Sequence, residues 1–281
     1  MQASLTDKAI IMNTQLSSEQ IAFYRENGFL IIDNFLSAEE LETWRHAVTQ
    51  AVAQRADRKL RDGRWRSTGS YDDNVFVQRI NLWEDHEGVR RLMLDAELGY
   101  MVAELAGIDG VRIWHDQALI KQPWGNPTGW HLDNPFWSFS SRDAISIWIA
   151  LDDSTLENGC LYFLPGTHKT ATFDKVEVTQ NIGDLFKAYP AWAMLKSVPA
   201  VMKAGACSFH NGLIAHGAGA NMTPGNRRAM SCAYMPDGST FNGRQNILSD
   251  EQVARLKVGD VLDNDIQNPL IYHRTKSYVT A

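Results

Sequence analysis

Cysteine is scarce in this chain, and so is excess positive charge. Three cysteines occur among 281 residues, Cys160, Cys207 and Cys232. They are odd in number, far apart and set in apolar segments. That excludes a disulfide framework and marks them as buried free thiols of a cytoplasmic protein. A net charge of −6 argues against nucleic acid or an anionic membrane as the main partner. No apolar run approaches the roughly 18 residues of a membrane span. The segment 1–14 contains Ala9-Ile10-Ile11-Met12 but lacks the basic leader, long apolar core and cleavage site of a signal peptide. A serine nucleophile elbow, a Cys–His pattern and a phosphate-cradling glycine loop are missing too, which leaves nucleophilic catalysis without support.

What is present suits one folded unit. Hydrophobic residues make up 44% and charged residues 21%, enough for a substantial core and too apolar for disorder. The length is generous for one domain but within the range of a decorated all-β barrel. No repeat, low-complexity tract or linker divides it. The expectation is a single domain over 1–281, with a helical N-terminal part at about 17–107 and a β core at about 111–236.

Local signals fill in that outline. Residues 20–27 read as a short helix stopped by Gly28, and Phe29-Leu-Ile-Ile32 as a strand. Ser37-Ala-Glu-Glu40 is a capping box with Leu36 and Leu41 at the staple positions. Leu41, Trp44, Val48 and Val52 then recur at helical spacing, predicting a helix to about Arg55. The polar stretch 57–73 reads as a loop, 75–83 as a returning strand, and 89–107 as another helix. From Val111 the pattern turns to β: 113–121, 144–151, 160–164, 206–209 and 229–234 are short strands separated by Gly, Pro, Asn and Asp. Helices followed by many short strands predict an α+β chain whose helices buttress a sandwich or small barrel. The stretch 167–199 carries no strand signal and reads as a lid or a surface excursion. A helix at 184–195 within it would be interrupted by Pro190.

The residues suited to chemistry lie in the β half. His131, Asp133 and His216 form the ligand set of a 2-His-1-carboxylate facial triad, which holds Fe(II) and leaves three positions open. If the 131–133 segment is extended, residues two apart project to one side and can chelate one ion. Eight histidines and 21 aspartates give roughly 0.6 His-x-Asp matches by chance, so the pair alone is weak. The ordered addition of His216 and, eleven positions later, Arg227 makes it specific. Arg227 suits the far carboxylate of a 2-oxo acid, because a guanidinium binds a carboxylate through two parallel hydrogen bonds. Strand alternation turns Arg228 the other way.

These residues sit in a longer series of motifs: Trp148-Ile-Ala-Leu-Asp152, Glu157-Asn-Gly-Cys-Leu161, Leu164-Pro-Gly-Thr-His168, and His216 through Asn221 to Arg227. In that order, over about 113–236, the chain resembles the phytanoyl-CoA dioxygenase family of Fe(II)/2-oxoglutarate oxygenases, and 29–41 looks like the family's N-terminal region. The resemblance implies a double-stranded β-helix (jelly-roll, cupin-like) core and oxidative decarboxylation of 2-oxoglutarate with O₂. It implies metal ligation by His131, Asp133 and His216, a carboxylate anchor at Arg227, and a cosubstrate wall at Trp148. Related halogenating enzymes lack the carboxylate, so Asp133 favours hydroxylation of a small-molecule substrate.

The other histidines read differently. His210 is a pocket-wall or core residue, and His168 belongs to its turn. His115, with Gln117 and Lys121 on one face, either lines the pocket or meets water. His46, His86 and His273 read as surface residues. Of the aromatic residues near the pair (Trp130, Phe136, Trp137, Phe139), Trp137 and Phe139 are the better substrate-wall candidates. Gln78, an amide among apolar neighbours, is assigned to the cavity. The basic run from Arg55 to Arg66 is interrupted by acids and reads as a solvated loop. Two other functions stay open: a cupin-like metal-dependent hydrolase or isomerase, against which Arg227 argues, and a degenerate jelly-roll binding module. The sequence leaves the substrate and the oligomeric state open.

Overall fold

The structure, a computed structural model, describes residues 12–55 and 75–277. Two serine caps organise its N-terminal part. Ser17 accepts from the Gln20 N–H while the Gln20 side chain accepts from the Ser17 N–H, opening α1 (Ser18–Asn27). Gly28 stops that helix with φ 82°, and its N–H donates to the Tyr24 carbonyl. β1 (Phe29–Ile32) follows directly. The Ser37–Glu40 box opens α2 (Ala38–Gln54), with Leu36 and Leu41 both buried beside it.

The helix expected over 89–107 is two helices, α3 (Glu87–Met93) and α4 (Ala96–Ala106). Asp95 divides them, because its carboxylate accepts from the Glu97 N–H and so caps a new start. His86, expected on the surface, caps α3 through Nδ1. The strand expected over 75–83 shortens to β2 (Val77–Ile80), since Asn81 takes a left-handed conformation and a 3-10 turn follows. The loop predicted at 57–73 lies outside the described residues.

The remaining strands form two antiparallel sheets. The larger contains β1, β2, β3 (Gly110–Lys121), β5 (Ile145–Ala150), β8 (Cys207–Asn211), β10 (Arg227–Pro236) and β11 (Leu270–His273). Its order is β1-β8-β5-β10-β3-β11, with β2 also paired to β3. The smaller runs β4 (Thr128–His131), β9 (His216–Ala218), β6 (Leu161–Phe163), β7 (Val198–Ala200). Together they make a double-stranded β-helix. β4, β7, β9 and β11 add four short strands to those read from the sequence, and β11 carries the sheet beyond residue 236.

Strand alternation gives the larger sheet two unlike faces. Ile147, Ile149, Cys207, Phe209, Met230 and Cys232 pack outward with Trp44, Leu98 and Met101 of the helices. Trp148, Ala150 and Ala229 turn inward and pack with Leu161 and Phe163 of the smaller sheet. All three cysteines are buried and free.

The stretch 167–199 holds a 3-10 turn (Thr167–Lys169), α5 (Leu185–Ala188) and a second 3-10 turn (Pro190–Met194). Pro190 interrupts the helix as expected. The stretch lies across β4, where the Trp130 N–H donates to the Ile182 carbonyl.

His168 fixes the turn between α1 and β1, its Nε2 lying 3.2 Å from the Arg25 carbonyl oxygen. A Cβ added at Gly28 would fall 2.5 Å from His168 Nδ1. Gly28→Ala is therefore expected to cost about 2 kcal/mol, part from the left-handed backbone and part from the clash. A double-mutant cycle with His168→Ala, read by urea denaturation, should show coupling above about 0.5 kcal/mol. Strict additivity would remove the clash from the explanation.

Candidate active site

β4 and β9 pair so that His131 and His216 stand directly opposite each other. Each ring is oriented by its own backbone. His131 Nδ1 lies 2.8 Å from the Gly129 carbonyl oxygen, and His216 Nδ1 lies 3.1 Å from that of Ile214. A carbonyl accepts only from N–H, so both rings are held as the Nδ1–H tautomer with the Nε2 lone pair free. Both Nε2 atoms converge on Asp133 Oδ1, at 3.5 Å from His131 and 3.8 Å from His216. The three ligand atoms lie within 4.8 Å of one another, a spacing that can hold one metal ion.

Asp133 reaches this position by a different route from the one the sequence suggested. β4 ends at His131, and Asp133 has helical angles (φ −79°, ψ −50°) at the head of a 3-10 turn, Asn134–Phe136. The chain therefore curls the carboxylate back to the rings. The Asn134 N–H donates to the Gly212 carbonyl and anchors the curl.

Electrostatics hold His216 and Asp133 in their ligating forms. Burial, with His131 alongside, pushes His216 down to about 3, so that ring is neutral. Burial would raise Asp133, but His216, His131 and His210 outweigh it and hold the carboxyl well below its usual range. For His131 burial is likewise outweighed by Asp133, and its value is raised.

At the far end of the inner face stands Arg227. It is buried, and its Nε and Nη1 have no partner. Burial pushes it down to about 10. Its guanidinium lies 5.1 Å over the Trp148 ring. Arg228 points the other way, to a bidentate pair with Asp152 (2.8 and 2.7 Å). Trp148 Nε1 and Ser208 Oγ, cross-strand neighbours, are also buried without a partner. Lys121 pairs with Arg227 in the β3–β10 register and is fully buried. Its ammonium donates to the carbonyls of Val75 (3.1 Å) and Asn126 (2.6 Å). Among the described residues, two buried basic groups lie beside orphaned donors with no carboxylate between them, an arrangement that suits a bound anion. The level of Trp148 is two residues along β5 from Ser146, which touches Asp133, or about 7 Å.

Sequence reasoning left Lys121 open between lining the pocket and meeting water, and did not place it beside Arg227. The signal was available in its inward position on the β3 alternation, but only the pairing with β10 shows that Arg227 lies beside it. Gln78 faces inward as expected, yet its amide donates to Gln117 Oε1 (2.5 Å), not toward Arg227. His115 is buried, and its cross-strand row (Ala233, Ser146, His210) is the row at Asp133. Trp137 and Phe139, the expected substrate wall, are core residues instead: both are buried in one cluster with Trp114. Trp130 and Phe136 keep some exposure, and Trp130 packs against Phe186 of the crossing stretch. His273, expected at the surface, is half-buried near Asp237.

A double-stranded β-helix with two histidines and a carboxylate on its inner side defines the architecture of non-haem iron, 2-oxoglutarate-dependent oxygenases. The sequence matches the phytanoyl-CoA dioxygenase (PhyH) family over residues 24–229, and the chain belongs to that family. It is 30% identical over 232 residues to dioxygenase lolE1 of Epichloe uncinata, covering 80% of this chain and 84% of that protein. It is 28% identical over 235 residues to the human peroxisomal phytanoyl-CoA dioxygenase, covering 79% and 69%. Among solved structures it resembles the non-haem alpha-ketoglutarate-dependent carbocyclase SnoK from nogalamycin biosynthesis. That match has a TM-score of 0.75 and 28% identity, covering 94% of this chain and 99% of SnoK. The protein is thus an enzyme of the iron- and 2-oxoglutarate-dependent oxygenase class.

Lys121 provides a test of the buried cation pair. Burial, with Arg227 alongside, pushes its value down to about 7 from 10.5. A lysine lowered on folding binds fewer protons in the native than in the unfolded state between those values. Its contribution to stability therefore rises with pH across about 7 to 10, by on the order of 4 kcal/mol in full. Lys121→Met should remove that rise in the unliganded protein, measured as the difference in unfolding free energy between variants at each pH. Parallel pH profiles for the two proteins would show that the ammonium is not penalised.

Proposed function

We propose that His131, Asp133 and His216 hold Fe(II), that Arg227 anchors the distal carboxylate of 2-oxoglutarate, and that the enzyme hydroxylates a C–H bond of a small molecule. The observation carrying this reading is the pair of backbone-fixed Nε2 lone pairs aimed at one carboxylate oxygen. Iron with 2-oxoglutarate, when bound, supplies an oxidant from O₂ with release of succinate and CO₂. The chain's own residues supply position and exclusion of water. Two imidazole nitrogens and an ionised carboxylate are the donor set of this metal. Arg227, with Lys121 beside it, neutralises the dicarboxylate's far end, and Trp148 closes the wall beneath the guanidinium. No acidic group in the described part of this pocket end competes for Arg227, whereas Arg228 is fully engaged by Asp152.

The substrate side is read from what lines it. Gln78, Gln117 and His115 give β2 and β3 a wall of neutral hydrogen-bonding groups. Such a wall supports a substrate carrying hydroxyl or carbonyl groups. The 167–199 stretch, crossing β4 beside His131, closes the opposite side. It is assigned the role of sorting substrates while the metal chemistry stays with the sheets. The described chain has no helix long and apolar enough to cross a membrane. We place the enzyme in the cytoplasm, acting on a small molecule without a nucleic-acid or membrane partner.

His131→Ala or His216→Ala should abolish Fe(II) binding and substrate-dependent succinate formation, while the unfolding transition stays cooperative. Near-wild-type iron affinity in His216→Ala would move the distal ligand to His210 and sink the assignment. Arg227→Ala should raise the KM for 2-oxoglutarate by tenfold or more, since losing a buried carboxylate pair costs about 2 kcal/mol at least. Arg228→Ala should change it far less, because that residue holds Asp152 on the outer face. Equal effects of the two would contradict the inward assignment of Arg227.

A further inference from the structure

The carboxylate of Asp133 has two oxygens with different surroundings. Oδ1 faces the Nε2 atoms of His131 and His216. Oδ2 faces away from them, 3.4 Å from Ser146 Oγ and 3.5 Å from His210 Nε2. Ser146 and His210 are cross-strand partners on β5 and β8, so one level of the larger sheet presents both donors to one oxygen.

His210 is otherwise out of place. It is buried, its ring lies 5.5 Å from that of Phe163, and its register partner on β1 is Phe29. Its Nδ1 is buried without a partner. An imidazole in apolar surroundings loses hydration, and a phenylalanine or leucine would fill the site without that cost. The His216 ring also lies 4.7 Å away, but the group that His210 Nε2 faces is the Asp133 carboxylate. The ring's Nε2 must carry the proton to donate to a carboxylate, which leaves Nδ1 as a buried acceptor without a partner among the described residues.

We propose that His210, assisted by Ser146, is a positioning residue that holds the second oxygen of Asp133 and confines the carboxylate to one-oxygen metal ligation. This rests on the metal-site reading above. With Oδ2 held by two donors, only Oδ1 would face an ion held by the two histidines, and the positions the protein does not fill would stay open. An unrestrained aspartate could rotate both oxygens toward the metal and occupy one of them. The device belongs to the larger sheet, while both histidine ligands come from the smaller one. It therefore also ties the metal cluster across the barrel.

The test uses Co(II) as a spectroscopic substitute in the full chain, with affinity from titration and geometry from the visible absorption bands. His210→Leu should weaken Co(II) binding about 10- to 100-fold and shift the bands. His210→Gln, which keeps an N–H donor, should restore most of the affinity and the wild-type spectrum. Ser146→Ala should give a smaller loss in the same direction, and it carries the test if His210→Leu fails to fold. Wild-type affinity and spectrum in His210→Leu would overturn the proposal, as would a Gln variant as impaired as the Leu variant, which would reduce the effect to packing. A wild-type protein that bound no Co(II) would overturn the metal reading itself and this inference with it, a result distinct from either of those.

Discussion

Four neighbouring strands of the larger sheet, β8, β5, β10 and β3, must satisfy two environments at once, and the site depends on that constraint. Residues of one parity meet the helices and are nearly all apolar: Ile147, Ile149, Phe209, Met230, Cys232. Residues of the other parity meet the smaller sheet and include His115, Gln117, Lys121, Ser146, Trp148, Ser208, His210 and Arg227. A one-residue slip in any of these strands would exchange the two sets. Polar groups would then lie against Trp44 and Leu98, and the pocket would be greasy and uncharged. The outer apolar face thus fixes the register, and the register places the chemistry. The helices contribute no side chain to the metal cluster, yet their burial of the outer face keeps the inner one in place.

The inner face is stable for reasons that run against its own composition. Arg227, Trp148, Ser208 and His210 all have buried polar atoms without partners. Each such atom costs on the order of 1–3 kcal/mol, more where it is charged. Unpartnered buried atoms occur elsewhere too, as at Trp44, Trp83 and Ser154, but on the inner face they include the guanidinium of the buried Arg227, which marks a ligand site. The unpartnered groups also fall into two sets. Donors and cations gather toward Arg227, where an anion would satisfy them. The imidazoles and the carboxylate gather toward Asp133, where a cation would. A ligand with a carboxylate at each end fits a cavity polarised in this way, which is the physical content of the cosubstrate assignment.

Much of this was legible in the sequence, and the parts that were not share a cause. The cap at Ser37, the stop at Gly28 and the seven strands read from the sequence carry local signals: hydrogen-bonding side chains at fixed offsets, or apolar runs bounded by turn residues. β4, β7, β9 and β11 are three or four residues long and were not read as strands, and a partner strand completes their hydrogen bonds. Asp133 comes to the two rings by a route other than strand pleating, since its backbone angles are helical and the next residue is anchored at Gly212. Lys121 stands 106 positions before Arg227, and only the register of β3 against β10 makes them neighbours. Trp137 and Phe139 misled for the opposite reason: closeness in sequence to the ligand pair suggested closeness to the substrate. The turn instead delivers them to a core cluster with Trp114.

Division of labour between the two sheets follows from these lengths. The smaller sheet is built of strands three or four residues long, and it holds both histidines by backbone carbonyls within two residues of each ring. Such local restraint sets a ring's tautomer and tilt without needing an extended sheet behind it. The 10- and 12-residue strands β10 and β3 instead span from the level of Asp133 to that of Arg227, giving a rigid scale against which a cosubstrate's length can be read. Adjustment is left to the other side, where Ala171, Leu185 and Trp192 anchor the 167–199 stretch in a cluster with Leu132 and Leu213 while 177–182 stay exposed. Segments with few buried contacts open at the lowest free energy. Substrate choice can therefore change in that stretch while the spacing between the metal cluster and the buried cations stays fixed by the sheet.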